Sequence, residues 1–377
     1  MSKKIYYSFH ALVVVLLIAT IVTIYAYRAT PGAQAPSDLL ASLPESDLVI
    51  LVDVQRLLNE AIPRILTNDE ATLVQMNAAI NELKAYTDID VRAINRAVIG
   101  MRGLKAAADM KKPEFAGVMI VEGLNPEVLL ALLRREGKGK YREQQYEGKT
   151  LYISVADGGL KPPGPMAAGV TELALTALDT NTIALGTPAE VRASIDASAG
   201  RAPRVSADLV ALATRNTDVL IGIAGTVPPS MMTPPPTGSG EKQSDEFSRA
   251  LSSLRQVYAS IGLTPAGFDI FAVGRAGGPA EAKTLSDMLN AFRTLGSLGS
   301  SAQRSEQEKL IRDLLASVQI SAEGDEVQIK YELTQSTLNA LVQLGKQMGR
   351  RQVAPPAPKA KQPRRGPRRR ARRIPRG

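Results

Sequence analysis

The sequence predicts an α+β fold, in which antiparallel or mixed sheets are covered by helices on one face, and three observations predict it. Strands and single helices do not alternate strictly, as a doubly wound sheet would require. Apolar runs are instead joined by short turn sequences at Glu147-Gly148, Asp179-Thr180-Asn181 and Glu323-Gly324-Asp325. With 377 residues, 44% of them hydrophobic, the chain can bury one large core or two ordinary ones.

The first element is apolar on every face. The stretch 11–27 (ALVVVLLIATIVTIYAY) carries no charge, and about seventeen residues at ~1.5 Å rise span roughly 25 Å of hydrocarbon. Its membrane-spanning residues are Ala11, Leu12, Val13, Val14, Val15, Leu16, Leu17, Ile18, Ile21, Val22 and Ile24. Lys3 and Lys4 precede it and Arg28 follows, so the positive-inside rule puts the N-terminus in the cytoplasm and the body outside. Residues 1–28 therefore read as a cytoplasmic stub and transmembrane signal-anchor of a bacterial inner-membrane, single-pass protein with a periplasmic or otherwise extracytoplasmic body. Secretion after cleavage near Ala35 is the alternative, because Ala33-Gln34-Ala35 has the small-x-small form of a cleavage site. Both readings export the body.

Residues 29–42 are rich in Pro, Ala, Gly and Ser and read as a tether. A first α+β unit is expected over 43–200. It opens with a strand over 47–53 whose continuous apolar run implies burial on both faces. Helical segments follow from Leu57 to Tyr86, with Leu73, Met76, Ile80 and Leu83 on one face and Pro63 marking an interruption or a new first turn. Strands are predicted over 97–101 and 115–121, then a helix from Pro126 to Arg135 capped by Asn125. Hairpins are predicted over 141–155 and 171–186, and a helix from Pro188 to Ala197 capped by Thr187.

A second unit over 201–349 reads as a variation on the first, an internal repeat. Asp218-Val219-Leu220-Ile221 matches the opening strand, and 268–277 followed by a helix from Ala280 matches 115–123 followed by the helix from Pro126. The hairpin turning at Gly324 matches the one turning at Gly148. The Pro-rich insertion 226–245 and the tail 350–377 lack the apolar content for a core and read as disordered.

Composition excludes several chemistries. There is no Cys, and the single His is His10, so disulfides, thiolate catalysis, a Ser-His-Asp triad and multi-His metal sites are ruled out. No catalytic, cofactor-binding or metal-binding residue is singled out, and no cofactor is implied. The Gly274–Gly278 loop has neither dinucleotide nor P-loop spacing and reads as a turn, as does Thr237–Lys242 in its Pro-rich context. Asp88 and Asp90 read as caps and Glu143 and Glu147 as solvated hairpin residues. Charge is the stronger signal. Twelve Lys and Arg with no acid lie between Arg350 and Gly377, and without them the net charge of +9 becomes −3. Arg364, Arg365, Arg368, Arg369, Arg370, Arg372 and Arg373 are the candidate polyanion-binding residues. Outside the cytoplasm they would meet anionic lipid, lipopolysaccharide, wall polyanion or an acidic protein; nucleic acid requires the inverted topology.

The apolar N-terminus, the opening Leu43-Pro44-Glu45-Ser46-Asp47 passage with its strand, the 183–195 strand-to-helix passage and the late hairpin resemble a family of bacterial membrane-anchored exported proteins. That family is a domain of unknown function with duplicated α+β units, and the resemblance covers roughly 43–349. It implies no catalytic residues, and the Arg-rich tail is outside its pattern. The reading that follows is a non-catalytic, membrane-anchored envelope protein with a binding or structural role. A carboxylate-dependent envelope hydrolase and a nucleic-acid binder acting through the tail are the alternatives.

Overall fold

A computed structural model describes residues 37–103, 116–137, 141–155, 171–216, 219–227, 251–298 and 306–343 of the chain. The membrane-spanning stretch, most of the tether, the Arg-rich tail and all but the first two residues of the Pro-rich insertion lie outside these residues; Thr226, with which the insertion was expected to begin, instead ends a strand, because its N–H donates to Asp47 O at 2.8 Å. Among the described residues no helix is long and apolar enough to cross a membrane.

Among the described residues twelve strands form one sheet. They are β1 Leu48–Asp53, β2 Arg96–Arg102, β3 Ala116–Glu122, β4 Tyr141–Tyr146, β5 Lys149–Val155, β6 Glu172–Ala177, β7 Thr182–Gly186, β8 Ile221–Thr226, β9 Gln256–Thr264, β10 Gly267–Arg275, β11 Gln319–Glu323 and β12 Glu326–Thr334. Their spatial order is β11-β12-β10-β9-β8-β1-β2-β3-β7-β6-β5-β4. Every neighbouring pair is antiparallel. The α+β class is as the turn-separated apolar runs predict.

The two halves meet where β1 pairs with β8, and from there they run outwards along similar paths. In each, a set of three adjacent strands is followed by a helical crossover and a hairpin that returns inwards, so that β7 pairs with β3 and β12 with β10. The first half inserts the β4–β5 hairpin at its outer end. The hairpin at Gly324 thus takes the place of β6–β7, whereas its two-residue turn resembles that of β4–β5. Turn chemistry is local and does not encode which strand a hairpin joins.

Burial follows the strand alternation. Val49 and Leu51 of β1 join one core cluster, and Ile50 and Val52 join the other across the sheet. Helices cover both faces, not one. On the Val49 face lie α1 Ser37–Ala41, with Leu39 and Leu40 in the core, and parts of the two helices α4 Pro188–Ser198 and α5 Ala207–Ala213. Helix α1 therefore forms within the stretch read as a tether, because its two leucines find apolar partners that composition could not foretell.

On the Ile50 face a helical run passes from Val54–Arg56 through a π-helical turn, Leu57–Ala61, to Ile62–Ile65. There follow α2 Glu70–Thr87 and α3 Pro126–Gly137, and a helix beginning at 335 packs Leu338 into the same cluster. Pro63 lies in the first turn of the last segment of that run, which needs no N–H from it. Ile80 and Leu83 are buried and Leu73 and Met76 half-buried, as the periodicity of α2 predicts. Helix α6 Pro279–Leu298 covers β10–β12 on this face through Ala282 and Leu285 against Val327.

The caps are as expected. Thr187 Oγ1 accepts from Glu190 N–H at 3.4 Å, and Asn125 Oδ1 from Glu127 N–H at 3.0 Å. Strand β9, helix α5, helix α7 Glu306–Ser317 and the helix from 335 are elements the sequence reading did not contain.

Ile120 is fully buried in the centre of β3, whereas Val74 on α2 is 59% exposed. Ile120→Ala should therefore lower the unfolding free energy by about 2–5 kcal/mol, and Val74→Ala by less than about 0.5. Urea denaturation followed by circular dichroism measures both.

Candidate functional site

Among the described residues, the helices covering the Val49 face stop at α5. Beyond it, β10 and β12 turn polar and charged side chains towards a groove of about 830 Å³. Alternation sends Asp269, Phe271 and Val273 of β10 to this side, opposite Glu332, Lys330 and Gln328 of β12. Arg215 and Asn216, just past the end of α5, form one wall, and Ser317 and Gln319 the other. A second cleft of about 410 Å³, lined by Asp208, Leu212, Arg275 and Glu326, shares Arg215 with the groove.

Phe271 lies at the centre. The Arg215 guanidinium carbon is 5.7 Å from its ring centroid and Lys330 Nζ is 5.5 Å away, so the ring's negative quadrupole attracts both cations. Tyr258 meets the same ring edge-on at 6.3 Å. Beneath it, Asn216 Nδ2 donates to Ser260 Oγ at 3.2 Å.

Glu326 joins the two clefts. Arg215 Nη1 donates to its Oε2 at 2.6 Å, and Arg275 Nη2 donates to its Oε1 at 3.0 Å. Arg275 is held in turn by Gln256 Oε1 at 2.8 Å. Burial alone would raise the Glu326 carboxyl, but the hydrogen bonds and charges of the two guanidiniums outweigh it and hold the group below the usual carboxylate range. A carboxylate held ionised in this way is a poor proton donor near neutral pH. It orders Arg215 beside Phe271.

Asp269 and Glu332 stand directly opposite each other on neighbouring strands of the same face. They place two carboxyl side chains at one end of the groove, next to its cationic, aromatic centre. A ligand carrying both signs of charge would complement it.

The site residues drawn from the sequence are not in this groove. The span residues from Ala11 to Ile24 and the tail arginines from Arg364 to Arg373 lie outside the described residues, as does Thr237–Lys242. Asp90 caps the turn at Val91–Ala93 by accepting from Arg92 N–H, and pairs with Lys84 at 2.7 Å. Asp88 ends α2 in the left-handed conformation, so both aspartates act as termini. Glu147 lies in its hairpin turn, 3.6 Å from Arg201. Gly277 and Gly278 sit in the turn between β10 and α6. Asp53, at the end of β1, is raised by burial, an effect offset in part by the Arg56 N–H that it caps.

Arg215, Phe271, Arg275, Glu326 and Lys330 were not singled out from the sequence. A partial signal was present, since Glu326-Val-Gln-Ile-Lys330-Tyr-Glu332-Leu alternates charged or polar with apolar residues and so declares one polar face.

No family model matches this chain, and no curated protein matches it. Among solved structures, crystal forms III and IV of TP0453 are similar at a TM-score of 0.40 each, with 10% and 11% identity. The matches cover 81% and 84% of this chain and 96% and 98% of theirs. A likeness at this level supports no conclusion about this chain.

Replacing Glu326 tests the clamp. In the unfolded chain its carboxyl titrates near 4.5, above its folded value, so the unfolded state binds the proton more tightly. The stabilisation is complete above that pH and is lost as pH falls through the lowered folded value. Glu326→Gln should cost roughly 1–3 kcal/mol at pH 7 and flatten the acid limb of stability against pH in thermal melts.

Proposed function

We propose that the chain is a non-catalytic envelope protein, anchored by one N-terminal helix with its body outside the cytoplasm, and that the body binds a partner through the groove beside α5. The observation that carries the binding role is the Arg215–Glu326–Arg275 clamp. It commits the buried Glu326 carboxylate of the neighbouring cleft to orienting a guanidinium against Phe271 and so leaves an ordered surface for recognition. The uncharged stretch behind Lys3 and Lys4 supports the anchor. The resemblance to duplicated, membrane-anchored α+β proteins belongs to the same proposal. Cleavage near Ala35 would release the same body on the same side.

The tail adds a second, electrostatic contact. Arg364, Arg365, Arg368, Arg369, Arg370, Arg372 and Arg373 would hold the C-terminus to anionic lipid or another polyanion of the envelope. Such attraction weakens as salt shortens the screening length.

Two measurements test these statements. A reporter that is active only outside the cytoplasm, fused after Gly349, should be active; activity of a cytoplasm-dependent reporter in its place would overturn the topology. Changing the seven tail arginines to Ser should weaken binding of the full chain to phosphatidylglycerol vesicles by roughly a hundredfold or more at low salt, and that difference should shrink at high salt. Equal binding by both chains would remove the tail from the proposal.

A further inference from the structure

The sheet ends in two edge strands, and the fold treats them differently. At β11, the hairpin turn at Gly324–Asp325 makes Glu323 and Glu326 a hydrogen-bonded pair, so alternation points the carbonyl of Ile320 away from β12. Helix α6 covers that direction. Asn290 Nδ2 donates to Ile320 O at 3.2 Å and Arg293 Nη1 to Val318 O at 2.5 Å. These side chains occupy acceptors that an incoming strand would need, a common way of closing a sheet edge.

Among the described residues strand β4 has no such cover. Its turn has positive φ at Glu147 and Gly148, 49° and 74°, the geometry of a two-residue hairpin closed by the hydrogen-bonded pair Tyr146 and Lys149. Alternation then turns the peptide groups of Arg142, Gln144 and Tyr146 to β5 and those of Tyr141, Glu143 and Gln145 outwards. Among the described residues nothing hydrogen-bonds to those outward groups. The strand Tyr-Arg-Glu-Gln-Gln-Tyr has no Pro or Lys, residues that commonly guard an edge.

Its charges select a partner. We propose that a second copy of this chain pairs antiparallel along β4, about a two-fold axis at Gln144, and continues the sheet from one copy into the other. A two-fold centred on Arg142 would set the two Arg142 side chains opposite each other, and one centred on Glu143 the two Glu143 side chains. One centred on Gln145 would set Glu143 opposite Glu147 of the second copy. Like charges directly opposite are destabilising. Centred on Gln144, the pairing sets Glu143 opposite Gln145, Arg142 opposite Tyr146 and Tyr141 opposite Glu147, with no like charges facing. Glu143 and Gln145 are then hydrogen-bonded partners, each pair exchanging both its N–H···O bonds. Arg142 keeps its own Glu172, 2.9 Å away on β6. The pairing does not depend on which side of the membrane the body occupies.

The chain has no Cys, which makes the register directly readable. In this pairing the two Gln144 positions form a non-hydrogen-bonded pair with Cα atoms about 4.5 Å apart, within reach of a disulfide. Gln144→Cys in the full-length chain, oxidised in membranes with copper-phenanthroline, should give a band at about twice the 40.3 kDa chain mass. Arg142→Cys, Glu143→Cys and Gln145→Cys should cross-link far less. Gln145→Pro removes an outward N–H without touching the β5 ladder. In detergent the unaltered chain should sediment at twice the protein mass and Gln145→Pro at the single mass, with the same circular dichroism. An unaltered chain that sediments at the single mass, or cross-linking strongest at position 142, 143 or 145, overturns the proposal.

Discussion

Strand β1 is enclosed on all sides, and the rest of the fold is arranged around that enclosure. Its side chains enter two cores and its backbone is paired with β2 on one flank and β8 on the other. Each fully buried Val, Leu or Ile there contributes on the order of 1.5–3 kcal/mol of transfer free energy. An unpaired peptide group in the same place would cost a comparable amount, so both flanks must be occupied by strands. The entry to the strand is tied down as well. Asp47 N–H donates to Met101 O and Asp47 O accepts from Thr226 N–H, both at 2.8 Å, and Asp47 Oδ2 accepts from Gly103 N–H at 3.0 Å. Because β8 comes from the second half of the chain, this single strand makes one sheet of both halves.

The described helices do not cover a sheet of this width evenly. On the Val49 face α1, α4 and α5 cover the strands around β1, and past α5 the side chains of β10 and β12 become polar and charged. That is where the groove lies. Its contents follow from its position: guanidiniums close to a buried carboxylate are ordered by it, and an aromatic ring at the centre of a sheet face offers cations a flat surface. The same unevenness appears at the edges, where α6 guards β11 and β4 keeps its outward peptide groups free of partners among the described residues.

Much of the fold could be read locally. The four-residue turn-closing segments at Gly148 and Gly324 each carry a residue suited to positive φ, and the caps at Thr187 and Asn125 stand before Pro188 and Pro126. What escaped has a physical reason in each case. Strand β9 interleaves Ser260 and Gly262 with its apolar residues, so its alternation contrasts apolar residues with small ones, not with charged ones. Helix α5 is seven residues long, shorter than the window in which helical periodicity shows, although Ser206 Oγ accepts from Leu209 N–H as a cap. The groove was legible only as a polar face on β12, because Arg215, Phe271 and Glu326 are far apart in the chain and become neighbours only through the pairing of β10 with β12 and the packing of α5 on the sheet.

By itself the sequence determined which segments are strands and helices where a strong period or a turn signal exists, the concentration of positive charge in the tail, and the chemistries barred by the absence of Cys and of any His beyond His10. These depend on each residue and its near neighbours, whose effects act within a turn or two of chain. Tertiary structure alone decided that β12 returns against β10, that helices cover both faces, and that two arginines sixty residues apart share Glu326. Those outcomes rest on which apolar surfaces and unpaired edges find one another at long range, and that choice is a competition among whole arrangements of the chain.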